Sequence, residues 1–135
     1  MTTISHLNNG ITIATSASSH RQTACVGLWL KNGARNLSDT QTGYAHLLEH
    51  LLFKRTDRRT GGQLSEQFEA MGGEINAETG RELTSFHGTV PSQFAGELLQ
   101  TFIEMLTQAA FDDNDFGLER DVVLQELAML RDDPE

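Results

Sequence analysis

His46-Leu47-Leu48-Glu49-His50 places two imidazoles and a carboxylate on one face of a helix, while Leu47, Leu48, Leu51 and Leu52 gather on the opposite face. Two His one turn apart can each lend a ring nitrogen to a single zinc ion, and a Glu beside them can act as a base. The leucines would bury against a sheet and so turn the polar face toward one point. An amphipathic surface helix with no chemistry has the same pattern. A His-x-x-Glu-His match arises by composition alone in roughly one or two such chains per hundred, so the segment needs a third ligand from elsewhere.

The last predicted helix offers one. With Glu126 as the reference direction, Glu119, Val122, Val123, Met129 and Leu130 all fall within about 60° of it on a helical wheel. Two carboxylates thus sit in an apolar stripe, where an unpaired charge is costly. A metal is one way to satisfy Glu126, and a buried Arg or Lys is the other. The second half of the chain offers only Arg81, Arg120 and Arg131, of which the last two point elsewhere on this helix.

The elements that must position these groups follow from turn signals and periodicity. Ile4–Leu7 and Ile11–Ala14 flank Asn8-Asn9-Gly10, a hairpin signal. Thr23–Lys31 reads as a buried strand ended by Asn32-Gly33. Helices are expected over Tyr44–Phe53 and Gln63–Met71, the second stopped by Gly72-Gly73. Strands are expected over Glu74–Ala77 and Glu82–Val90, around a turn at Glu78–Arg81. Pro91 marks a helix start ahead of Phe94–Ala110, and a final helix runs from Phe116 to Arg131, before Pro134. This order predicts an α+β fold, a largely antiparallel sheet with helices packed on one face.

Composition narrows the function. The 135 residues are 38% hydrophobic and 21% charged, the balance of one globular domain, and no apolar run could span a bilayer. Residues 1–60 carry seven Lys/Arg against three Asp/Glu, and residues 61–135 carry three against sixteen. So acidic a second half argues against nucleic acid as a partner. The basic cluster Lys54, Arg55, Arg58 and Arg59 reads as a solvated loop, since no Gly-rich phosphate turn accompanies it. Cys25 cannot form an internal disulfide and is expected to be a buried thiol. Met1–Gly10 has neither a basic start nor an apolar core, which favours a cytoplasmic location and leaves a periplasmic or organellar one open.

Several motifs in order resemble one family. Gly43-Tyr44-Ala45-His46-Leu47-Leu48-Glu49-His50, with Phe53-Lys54 and Thr56 after it, is similar to the inverted zinc motif of the pitrilysin family, which includes insulin-degrading enzyme and the mitochondrial processing peptidases. Gly72-Gly73-Glu74-Ile75-Asn76-Ala77-Glu78-Thr79 and then Glu82-x-Thr84 resemble its next strand. Glu119-Arg120-Asp121-Val122-Val123-Leu124-Gln125-Glu126 resembles its ligand-bearing helix, with Glu126 lying 76 positions after His50. Gly33-Ala34-Arg35 also matches a segment upstream of the motif.

The resemblance implies a zinc metalloendopeptidase. It makes His46, His50 and Glu126 the ligands of one zinc per chain, and Glu49 the general base toward a zinc-activated water. Glu119 would support the site from behind, and Asn76 and Ala77 would lie on the edge strand that receives a peptide or unfolded polypeptide by β-augmentation. Family domains continue past the ligand-bearing helix, so residues 1–135 are expected to form a single catalytic domain incomplete at its C-terminus. A second homologous domain or subunit is expected to close the chamber. A non-catalytic peptide-binding or assembly subunit, or an inert fragment, is the alternative. His87 departs from the family's usual aromatic residue and is expected to pack within a strand; His6 and His20 are expected at the surface.

Overall fold

The computed structural model describes residues 1–132, and side chains as far as Met129. Strands β1 (Thr2–His6) and β2 (Thr12–Ser16) form the expected antiparallel hairpin, with Ile4 opposite Ala14. Its turn is closed by Gly10 N–H donating to the Leu7 carbonyl and Leu7 N–H to the Ile11 carbonyl. The hairpin is a separate two-stranded sheet, exposed along both strands.

The main sheet has the order β3-β5-β4, all antiparallel, from β3 (Thr23–Leu30), β4 (Glu74–Thr79) and β5 (Thr84–Pro91). Period-two alternation gives it one apolar face. On the central strand Phe86 and Val90 are buried, flanked on that face by Val26, Leu28, Leu30, Ile75 and Ala77. Helix α3 (Ala95–Thr107) covers this face with Leu98, Phe102 and Met105, which like Phe86 are fully buried. Each such side chain contributes about 1.5–3 kcal/mol by leaving water. Leu52 from α1 (Tyr44–Leu52), and Leu64 and Met71 from α2 (Gly61–Met71), complete the core.

The other face of the sheet is open, which corrects the reading of Cys25. Cys25 lies out of phase with Val26 and Leu28, so its thiol is exposed, 3.2 Å from the Thr89 hydroxyl. His87 sits within β5 between Gly27 and Asn76, and belongs to no metal-donor cluster among the described residues. His6 and His20 are exposed.

Local chemistry moves several element ends. Helix α2 begins two residues before Gln63 because Thr60 caps it: its hydroxyl accepts from Gln63 N–H, and Gln63 Oε1 accepts from Thr60 N–H at 2.9 Å. Gly72 ends it with φ of 64°, a left-handed turn that glycine takes without strain. Helix α4 (Asp113–Asp132) starts three residues before Phe116 because Asp112 Oδ1 accepts from Asn114 N–H at 2.8 Å. Pro91 ends β5 instead of opening α3; a 3-10 turn at Ser92–Phe94 intervenes, held by Ser92 N–H donating to the Gln22 carbonyl. Helix α3 stops at Thr107, short of Ala110, because residues 109–110 bridge to Arg55 and Thr56. Pro134 lies outside the described residues, as does the side chain of Leu130.

The basic cluster is a solvated loop only at Arg58, which is exposed. Arg59 donates to both oxygens of Glu104 at 2.6 and 3.0 Å, and Thr56 donates to Glu104 Oε1 at 2.6 Å. Arg55 donates to Asp115 Oδ2 at 2.8 Å. These bonds tie the basic first half to the acidic α3 and α4. The Arg59 hydrogen bonds, helped by Thr56 and working against burial, hold the Glu104 carboxyl below its ordinary range.

Candidate metal centre and strand edge

Gly43, with φ of 88°, turns the chain into α1, which lies against both β4 and α4. Leu51 and Leu52 are buried there and Leu47 is half-buried, but Leu48 is exposed, so the apolar face is narrower than its four leucines suggest. The opposite face carries His46, Glu49 and His50. On α4, Val123 and Glu119 are buried while Val122 and Met129 are exposed, so the stripe around Glu126 is only partly covered. Neither helix had to bury its whole apolar face to bring the polar groups together.

Three donors converge. His46 Nε2 lies 3.1 Å from His50 Nε2, and Glu126 Oε2 lies 3.5 Å from the first and 3.7 Å from the second. One ligand atom from each residue falls within 4.8 Å of the others. A tetrahedral zinc site with bonds near 2.0–2.1 Å has donor atoms about 3.4 Å apart. The triangle of two imidazole nitrogens and a carboxylate oxygen therefore has the size and the chemistry of three corners of such a site, and could hold that ion.

The group behind the triangle is equally ordered. Glu119 Oε2 accepts from His50 Nδ1 at 2.9 Å, and its Oε1 takes Lys54 Nζ at 2.7 Å. With Nδ1 donating to Glu119, the His50 ring is oriented so that Nε2 faces the triangle. Burial pushes the Glu119 carboxyl up, but hydrogen bonds from Lys54 and His50, with their charges, outweigh it and hold the group below its ordinary range. Lys54 is a cation from the first half, and it pairs with Glu119 and not with Glu126. It lies two residues past the end of α1, in the turn from which its side chain reaches α4.

Glu49 is half-buried and lines, with His50, Phe53, Ile75, Asn76 and Glu119, a cleft of about 320 Å³ between α1, α4 and β4. Thr79 donates its hydroxyl to Glu49 Oε2. Nothing in the sequence pairs these two residues, although Thr79 ends the strand motif Gly72–Thr79. Asn76 and Ala77 lie on β4, an outer strand of the three-stranded sheet, and Asn76 Oδ1 accepts from the Ala77 N–H at 2.9 Å. Glu49, His50, Glu119, Asn76 and Ala77 thus line one cleft, and His46 and Glu126 meet His50 beside it. No helix among the described residues is long and apolar enough to cross a membrane.

Comparison with known proteins identifies relatives of this chain and of its fold. The chain is 39% identical over 126 residues to a probable mitochondrial-processing peptidase subunit beta of Arabidopsis thaliana, covering 93% of this chain and 24% of that protein. It is 35% identical over 132 residues to an uncharacterized zinc protease of Rickettsia bellii, covering 98% of this chain and 32% of that protein. The chain thus spans about a quarter to a third of the length of these relatives. Its fold superposes with a TM-score of 0.86 on a protease from Helicobacter pylori, at 28% identity, covering 93% of this chain and 30% of that one. The periplasmic protease PqqL from Escherichia coli gives the same TM-score at 25% identity, covering 94% of this chain and 15% of that one. The α+β architecture is that of these proteases, and zinc is named among the relatives. The family model for insulinase, peptidase family M16, matches residues 12–135, and the chain belongs to that family.

Proposed function

We propose that this chain is the metal-bearing part of a zinc metalloendopeptidase, with His46, His50 and Glu126 as ligands and Glu49 as general base. The observation that carries the reading is the donor triangle with edges of 3.1, 3.5 and 3.7 Å, beside the Glu49 carboxylate, which lines the same cleft as His50. A zinc ion held there would supply Lewis-acid activation of a water and of the scissile carbonyl. Glu49 takes the proton from that water and passes it to the leaving amine, a role its free Oε1 can fill while Oε2 accepts from Thr79. Glu119 and Lys54 hold the His50 ring in its tautomer. A peptide or unfolded polypeptide lies along β4 at Asn76 and Ala77, read through its backbone. The domain continues beyond these 135 residues, and a second homologous domain or subunit closes over the substrate. Names of the relatives include a mitochondrial and a periplasmic protease, so the reading fits more than one compartment.

Glu49→Gln tests the reading. It keeps the side chain's shape and removes its basicity, so zinc bound per chain should stay at about one while hydrolysis of an unstructured peptide falls about 100- to 10,000-fold. Retained hydrolysis would remove Glu49 as the base, and lost zinc would make it a ligand. A chain that binds zinc yet shows no hydrolysis with or without Glu49 would favour the non-catalytic peptide-binding reading.

A further inference from the structure

We infer that Thr79 is a positioning residue that sets the direction of the Glu49 carboxylate and ties it to the strand on which substrate is laid. The inference rests on the reading of Glu49 as the base. Thr79 is the last residue of β4, on the same face as Ile75 and Ala77, the face turned to α1. Its hydroxyl reaches across that contact and donates to Glu49 Oε2. This occupies one carboxylate oxygen and leaves the other, Oε1, to meet a water. A Glu side chain on a helix has three rotatable bonds, and a single hydrogen bond from a rigid neighbour selects among its rotamers before substrate arrives.

The neighbour is rigid. Thr79 pairs with Thr84 in the β4–β5 ladder, and Gly80 N–H donates to the Leu83 carbonyl at 2.8 Å, closing the turn that follows. That turn is clamped from outside by Ala34 N–H donating to the Gly80 carbonyl at 3.1 Å and Arg35 N–H donating to the Arg81 carbonyl at 2.8 Å. Arg35 and Glu82 add an ion pair across the same junction. Backbone on three sides therefore fixes the oxygen that aims Glu49. Asn76 and Ala77 lie three and two residues earlier on the same strand, so a peptide paired there and the base are referenced to one backbone.

The test compares Thr79→Val, which keeps shape and strand preference and removes only the hydroxyl, with Thr79→Ser, which restores the donor. Each chain is assayed for zinc affinity, for kcat and KM on an unstructured peptide, and for the Glu49 side-chain carboxyl ¹³C resonance at one fixed pH. The expected result for Thr79→Val is zinc affinity and KM within about twofold of the parent, kcat lower by about 10- to 100-fold, and a displaced Glu49 resonance. Thr79→Ser should return both kcat and the resonance toward the parent. An unmoved resonance in Thr79→Val, or Thr79→Ser behaving like Thr79→Val, overturns the inference. Glu49→Gln separates the two levels: undiminished hydrolysis there removes the base reading itself, whereas a fall there with none in Thr79→Val removes only the role of Thr79.

Discussion

Two clusters join the basic first half of the chain to the acidic second half, and they are built to opposite rules. At Thr56, Arg59 and Glu104 the partners touch: hydrogen bonds of 2.6 to 3.0 Å satisfy both carboxylate oxygens, with side chains 22% and 13% exposed at the ion pair. At His46, His50 and Glu126 the carboxylate stands off at 3.5 and 3.7 Å, and Glu126 is 43% exposed. The first arrangement is closed because charge neutralisation is its whole purpose. The second leaves the spacing of donors around a small cation, with the closed pairing moved one layer back to Glu119, His50 and Lys54. Separation between opposite partners distinguishes a brace from a site more sharply than residue type does.

The largest expected effect breaks the open cluster alone. Changes behind a metal ligand cost about 10- to 100-fold in affinity, so removing the ligand in Glu126→Gln should cost more than about 100-fold. Stability measured with a chelator present should change by less than about 0.5 kcal/mol, because Glu126 is half-buried and closes no tight pair. Metal competition titration and chemical denaturation read the two quantities. Zinc held as tightly as in the parent would remove Glu126 from the ligand set.

The complementary change breaks the closed cluster. Arg59→Met keeps the length of the side chain and strands Glu104 against the core, which should cost about 2–3 kcal/mol in denaturant unfolding. Zinc affinity should stay within about twofold. A large fall in zinc affinity with little loss of stability would mean that the two clusters are one mechanical unit.

Glu119 belongs to both kinds and should show a mixed, smaller response. Glu119→Gln keeps an acceptor for His50 Nδ1 but weakens the link to Lys54. Zinc affinity should fall about tenfold, with a stability loss of about 1 kcal/mol. An effect on stability with none on zinc would make Glu119 a brace only.

How far these clusters could be read from sequence depends on whether the signal was local. The hairpin at Asn8-Asn9-Gly10, the helix carrying His46 and His50, and the stop at Gly72 rest on short-range turn and helix chemistry, and they stand where expected. Glu126 was reachable because helical phase carries over several turns. Lys54–Glu119, Arg59–Glu104 and Thr79–Glu49 were not, since each joins residues 30 to 65 positions apart whose meeting is set by how helices pack. Cys25 failed for a related reason: an apolar run does not reveal which of a strand's two faces is covered. The early start of α4 was hidden because Asp112-Asp113-Asn114-Asp115 offers several capping residues in a row.

The smallest effect sharpens the comparison through pH. The folded Glu104 carboxyl sits below its ordinary value, chiefly through Arg59, while in the unfolded chain it returns to about 4.3. Between those values the unfolded chain binds the extra proton, so stability rises with pH through the window. The contribution is complete above the unfolded value and is lost as pH falls through the folded one. Glu104→Gln removes it, so the gap in unfolding free energy between parent and variant should be constant near neutrality and narrow as pH falls below about 5. Glu119, lowered for similar reasons, is present in both chains and cancels in the difference. With a chelator present, metal linkage at the open cluster does not enter. A gap that stays constant down to pH 3 would show that Glu104 braces the fold through shape alone and not through its charge on Arg59.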